Sequence, residues 1–220
     1  MNGENPGARV VELCRLFYDL GWASGTGGGM SIRDKGKIYV APSGVQKERL
    51  SESDLYVLSE SGEVLEAPRD ASLRPSACTP LFLKAYALRG AGAVIHSHGM
   101  YAMLATVISG RHFECTELEM IKGIADHGYF DRLAVPIVEN TAHEADLAES
   151  LGRAIEENPR THAVLVRRHG VYVWGKDWVQ AKTHAECYHY LFEAVVRMRE
   201  LGVVHEGGEQ RLEVVGGTKR

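Results

Sequence analysis

Ala93-Val94-Ile95-His96-Ser97-His98-Gly99 reads as an apolar strand that ends in two histidines and a glycine. Side chains on a strand alternate between its faces, so His96 and His98 point the same way with their rings close enough to share one ion. A second run, Val164-Leu165-Val166-Arg167-Arg168-His169-Gly170, has the same arrangement and offers a third imidazole. Three neutral imidazoles leave the fourth position of a tetrahedral zinc open for water or substrate, as catalytic rather than structural sites do. In each run the strand holds the ligand while the loop beyond the glycine leaves room for a ligand. His112, His127, His143, His162, His184, His189 and His205 lack this setting and read as ordinary histidines.

Working outward, Val10, Leu13, Leu16, Phe17 and Leu20 recur at helical spacing and predict an amphipathic helix over residues 8–20. Met30–Arg33 and Lys37–Val40 flank Asp34-Lys35-Gly36, which predicts a hairpin, and a second hairpin is expected across Leu55–Leu65. A helix from Cys78 to Leu88, with Pro80 tolerated in its first turn, leads through Arg89-Gly90-Ala91-Gly92 into the histidine strand. Beyond it come a helix over Tyr101–Ile108, a polar segment, a strand over Ala134–Val138 and a helix near His143–Glu156. Paired strands around Ala163–Arg168 and Val171–Trp174 and a long helix over Trp178–Leu201 complete the pattern. From Gly202 onward the chain is rich in glycine and charge without periodicity, the composition of a mobile tail. Helices mixed with hairpin-linked strands predict an α/β fold whose sheet is largely antiparallel and covered by helices.

The chain of 220 residues is long enough for one domain with a sizeable core, and no charged or proline-rich linker divides it. A net charge of −4 gives no reason to expect nucleic acid or an anionic membrane as partner, so the expected ligand is small. Met1–Gly7 lacks the basic and apolar regions of a signal peptide, and no apolar run reaches membrane-spanning length, which favours a cytoplasmic setting. Cys14, Cys78, Cys115 and Cys187 are widely spaced without a CxxC pair, so neither a disulfide framework nor a cysteine knuckle is expected.

Other segments carry weaker signals. Ser24-Gly25-Thr26-Gly27-Gly28-Gly29-Met30-Ser31 lets backbone N–H groups approach an anion, although such a turn also serves as a plain connection. It is neither a Walker A loop nor a dinucleotide fingerprint. In Ala41-Pro42-Ser43-Gly44-Val45-Gln46-Lys47 and Leu73-Arg74-Pro75-Ser76-Ala77-Cys78, Ser43 and Ser76 could donate to phosphate oxygens and Lys47 could neutralise charge. A cap for the following helix is the competing reading of Ser76. Glu114, Glu117 and Glu119 cluster where a carboxylate beside zinc could transfer protons.

Taken together, Gly25–Ser31, Ala41–Arg49, His96-Ser97-His98, Glu119-Met120-Ile121-Lys122-Gly123 and Arg168-His169-Gly170-Val171-Tyr172-Val173-Trp174-Gly175 resemble the class II aldolase superfamily. Within it they are most similar to the methylthioribulose-1-phosphate dehydratase branch, in the same order from about residue 8 to about residue 201. The resemblance implies a three-layer α/β/α domain with a mostly antiparallel central sheet, assembled as a homotetramer with active sites between subunits. It implies one Zn2+ per subunit on His96, His98 and His169. It also implies a sugar-phosphate pocket of Gly28, Gly29, Ser43, Gly44 and Ser76, with Lys47 beside it, and Glu119 as catalytic acid/base. Cys78 stands where the superfamily's sugar-phosphate aldolases carry glutamate, and a thiol cannot replace a carboxylate as a proton shuttle, so dehydration is favoured over aldol cleavage or epimerisation. In the dehydratase branch that cysteine is expected to help shape the substrate pocket. Gly29 replaces a common asparagine and leaves phosphate binding to backbone groups. A non-catalytic binding scaffold is the alternative of a different class, and the three retained histidines speak against it.

Overall fold

The computed structural model describes residues 5–203; His205 and nearly all of the expected tail lie outside them. Asn5 caps the first helix, α1 (Pro6–Asp19), accepting a hydrogen bond from the N–H of Gly7, and Pro6 fills the first-turn position where a missing N–H costs nothing. Strands β1 (Gly29–Asp34) and β2 (Lys37–Val40) form the expected hairpin. Its two-residue turn holds Lys35 and Gly36 at φ of 47° and 76°, the left-handed pair that matches the twist of the strands. Strands β3 (Tyr56–Ser59) and β4 (Val64–Glu66) form the second hairpin. Then follow α2 (Thr79–Arg89), β5 (Ala93–Ser97), α3 (Met100–Ile108), β6 (His112–Cys115), β7 (Leu133–Val138), α4 (Ala148–Glu157), β8 (Ala163–Val166), β9 (Gly170–Gly175) and α5 (Trp178–Glu200).

The nine strands form one sheet in the order β4-β3-β2-β1-β5-β9-β8-β7-β6. Every pairing is antiparallel except β7 with β8, so the expected character of the sheet is correct. Alternation along the strands builds two cores. On one face Met30, Ile32, Ile95, Leu165, Val171 and Val173 meet α1, α3 and α5; on the other Val40, Val94, Val164, Val166 and Trp174 meet α2 and α4. This is the three-layer α/β/α arrangement, with β5 and β9 near the middle of the sheet and buried on both sides.

One segment departs from expectation. The stretch read as merely polar contains β6, paired antiparallel to β7 with Phe113 opposite Val135. Phe113 and Cys115 are buried while His112 and Glu114 are not, so a two-residue alternation sufficient for an edge strand is present in only four residues. Among the described residues no helix is long and apolar enough to cross a membrane.

Two of the histidines read as ordinary lie inside the core. His184 donates from Nδ1 to the carbonyl of Trp174 (2.8 Å) and accepts at Nε2 from the N–H of Ala125 (3.1 Å), so a second proton would break the latter bond. His189 stacks on Trp22 with ring centroids 3.9 Å apart. Burial pushes their pKa values down, to about 4 for His184 and about 3 for His189. In the unfolded chain both take up protons near pH 6.5, so below that pH the unfolded state is favoured, and stability falls until the folded pKa values are reached. At pH 5 each is expected to cost about 2 kcal/mol. Urea midpoints of the metal-free protein at pH 7 and pH 5 check this; equal midpoints would reject it.

Candidate metal centre and substrate cradle

His96 belongs to β5, His98 lies just past its end, and His169 sits in the tight connection between β8 and β9. Their Nε2 atoms converge: 2.9 Å from His96 to His98, 2.9 Å from His98 to His169, and 3.3 Å from His96 to His169. The far side of two rings is anchored. Nδ1 of His96 donates to the carbonyl of Val171 (3.2 Å) and Nδ1 of His169 to Oδ1 of Asn140 (3.2 Å). Those bonds place the ring protons on Nδ1 and aim the Nε2 lone pairs at one another, a repulsive arrangement unless a cation lies among them. The donor set therefore fits a divalent metal, with imidazoles of the kind zinc accepts. Partial burial, then the neighbouring imidazoles, push His98 down to about 3; burial, then His96, push His169 down to about 4. Both rings are neutral at pH 7, the form a metal needs.

The local fold explains the Arg-Arg-His-Gly spelling. The Arg167 guanidinium donates to the carbonyls of Thr106, Ser109 (3.0 Å) and Gly110 (2.7 Å), which the end of α3 leaves unsatisfied. Arg168 takes φ of 55°, and its N–H donates to Oγ1 of Thr106 (2.8 Å). The turn that presents His169 is thus bolted to a neighbouring helix.

Three loops close a ring beside the triad. Lys47 donates from Nζ to the carbonyls of Thr26 (3.1 Å) and Val45 (3.2 Å), tying the Gly-rich loop to the Ser43–Lys47 loop. Ser43 forms an isolated antiparallel bridge with Arg74, joining that loop to the segment before α2. Cys78 lies next to Gly29, which pairs in register with His96 across β1 and β5. Ser76 is buried and accepts from the N–H of Cys78 (3.2 Å), a local turn ahead of α2; the cap position itself is Cys78, so the reading of Ser76 as the helix cap is not met. Gly28, Gly29, Ser43, Gly44 and Ser76 therefore all lie on the loops that meet here. Lys47 is 1% exposed, and burial lowers its pKa; it lies beneath the loops as a tie between carbonyls.

Sequence reasoning missed Glu144, in the short 3-10 turn before α4. Its Oε1 is 3.1 Å from Nε2 of His96 and 3.2 Å from Sγ of Cys78, and it accepts from the hydroxyl of Tyr172. Tyr172 stands opposite His96 in the β5–β9 register, its ring flat against the imidazole at 4.0 Å. Burial raises the Glu144 carboxyl, but the His96 imidazole beside it, then the Tyr172 hydroxyl and the Cys78 thiol that donate to it, outweigh burial and hold the group below the usual carboxylate range. Burial and the adjacent Glu144 push the Cys78 thiol up, so it is a neutral donor. The sequence around Glu144 carries no motif; its partners are distant in the chain.

Glu119, the expected acid/base, is not gathered into this cluster. Its side chain is 70% exposed and pairs with Lys122 at 2.6 Å.

Comparison with known proteins identifies the family. The family described as Class II Aldolase and Adducin N-terminal domain matches residues 8–196. A Drosophila grimshawi protein named as a probable methylthioribulose-1-phosphate dehydratase is 53% identical over 215 residues, covering 94% of each chain. A Ricinus communis protein named as a probable bifunctional methylthioribulose-1-phosphate dehydratase/enolase-phosphatase E1 is 51% identical over 209 residues, 88% of this chain. Against that longer plant relative the match spans only 40% of its length. Among solved structures, an L-fuculose 1-phosphate aldolase superposes with a TM-score of 0.76 at 22% identity, covering 97% of this chain and 93% of the other, a likeness of fold. With nearly its whole described length matched by that family's model, the chain belongs to the class II aldolase and adducin family.

Proposed function

We propose that the chain is a zinc-dependent dehydratase that converts 5-methylthioribulose 1-phosphate to 2,3-diketo-5-methylthiopentyl 1-phosphate, a step of methionine salvage. The observation that carries this reading is the convergence of three Nε2 atoms within 2.9–3.3 Å beside a ring of small-residue loops. Relatives at about half identity that bear the dehydratase name support the choice of reaction. His96, His98 and His169 hold the ion, which when bound supplies Lewis acidity that polarises the substrate carbonyl and acidifies the neighbouring C–H. Gly28, Gly29 and Gly44 offer backbone N–H groups, and Ser43 and Ser76 hydroxyls, to the phosphate, with Lys47 adding charge from below. Fixing the phosphate far from the reacting carbons orients them, so loosening it lowers turnover as well as affinity. Cys78 shapes the wall beside Gly29.

Glu119 is the proton-transfer group of this reading. Its exposed position suits action in the site of a neighbouring subunit, which accords with a homotetramer whose sites lie between chains. The setting is cytoplasmic.

The test is product analysis with methylthioribulose 1-phosphate before and after chelation. A diketone that disappears with the metal and returns with added zinc is expected; an aldehyde plus a three-carbon phosphate would instead mean aldol cleavage. Glu119→Gln should keep its zinc and lose roughly 100-fold in turnover, and near-normal turnover would reject its role.

A further inference from the structure

Dehydration of a hydroxyketone moves two protons: one leaves the carbon beside the carbonyl, and one joins the departing hydroxyl. Glu119 lies at the surface beside Lys122, apart from the triad. The carboxylate that the chain itself sets against the triad is Glu144, with Oε1 3.1 Å from Nε2 of His96. We propose that Glu144 is a second catalytic carboxylate of this site, the base that takes the C3 proton of the substrate, with Tyr172 and Cys78 as its positioning residues. This rests on the dehydratase reading.

The two oxygens of Glu144 are unlike. Oε1 gathers every contact: the Tyr172 hydroxyl, the Cys78 thiol at 3.2 Å and the His96 imidazole. Oε2 takes no partner among the described residues, and the side chain is 20% exposed. A carboxylate pinned at one oxygen and free at the other has lost its rotational freedom before a substrate arrives, which is the condition for efficient proton abstraction. The pins are themselves fixed. Tyr172 is 1% exposed, stands across from His96 in the strand register and stacks on its ring, while Cys78 is 5% exposed at the head of α2.

The proton account closes over the two carboxylates. The C3–H bond breaks, its proton goes to Oε2 of Glu144, and its electron pair passes toward the C2 carbonyl. That pair then forms the C3–C4 double bond as the C4–O bond breaks, and the hydroxyl leaves as water with a proton from Glu119. In ketonisation Glu144 returns its proton to C4 and the C3 hydroxyl gives its proton to Glu119, which restores both groups.

The 4-deoxy analogue of 5-methylthioribulose 1-phosphate cannot lose water, so its C3–H exchange in D2O, followed by NMR, reports the first step alone. With zinc content and thermal midpoint unchanged, Glu144→Gln should slow this exchange at least about 100-fold, and Tyr172→Phe and Cys78→Ser about tenfold each. Glu119→Gln should keep the exchange and lose dehydration. Normal exchange in Glu144→Gln overturns the proposal, as does a loss that merely follows lost zinc. If the wild type neither exchanges the analogue nor dehydrates the substrate, the dehydratase reading fails and this inference with it; an active wild type beside an unaffected Glu144→Gln sinks the inference alone.

Discussion

Gly27→Ala is expected to weaken the hold of the site on the proposed zinc while leaving the fold intact. A Cβ at position 27 would lie 2.3 Å from Nδ1 and 2.8 Å from Cε1 of His98, far inside any real contact. The backbone of His98 cannot retreat, because its N–H is tied to the carbonyl of Trp22 at 2.8 Å. The ring must therefore swing, and its Nε2 leaves the 2.9 Å spacing it keeps with both other imidazoles. Zinc tolerates only a few tenths of an ångström in its ligand distances. Disturbing what positions a ligand typically costs 10- to 100-fold in affinity, and displacing the ligand itself belongs at or above the top of that range, so a loss of about 100-fold or more is expected. Competition against a chelator measures it, with circular dichroism as the control for the fold. Wild-type affinity would mean that the ring and the loop are not in contact in solution.

His96→Ala is the second large effect. His96 is the most enclosed of the three imidazoles, 2% exposed, and is the hub of the cluster: it touches His98, His169 and Glu144 and lies flat against Tyr172. Removing it should bring bound zinc to background and cut turnover by about 1,000-fold or more, since Lewis-acid stabilisation is worth several kcal/mol and each 1.36 kcal/mol is tenfold. Elemental analysis and the diketone assay check the two halves independently. Unchanged zinc with unchanged turnover would show that the imidazole cluster is not the reaction centre.

What could be read in the chain follows how locally it is written. His96 and His98 are two residues apart on a strand whose alternation fixes their faces; helical spacing placed α1, and Pro80 with Gly90 placed α2, nearly to their ends. Four-residue β6 showed too short an alternation to stand out between α3 and β7. Glu144 was invisible for another reason: it meets Cys78 across 66 residues of sequence, and no periodicity records a contact made only by the closed sheet. The depth of Lys47 was not legible either, because a lysine in a loop reads as surface charge, whereas this one is buried with two carbonyls for company. Glu119 was named by motif alone, and its place within one chain is solvent.

The wide sequence separation inside the triad bears on how the protein comes to hold its ion. His96 and His169 are 73 residues apart, and they meet only once β5 has paired with β9. Closing so long a loop precedes any chelation, so the ion cannot template the nascent chain. It acts instead as a late rivet: holo and apo chains should collapse and refold at matching speeds, and the bound ion should lengthen the lifetime of the finished molecule by slowing its opening.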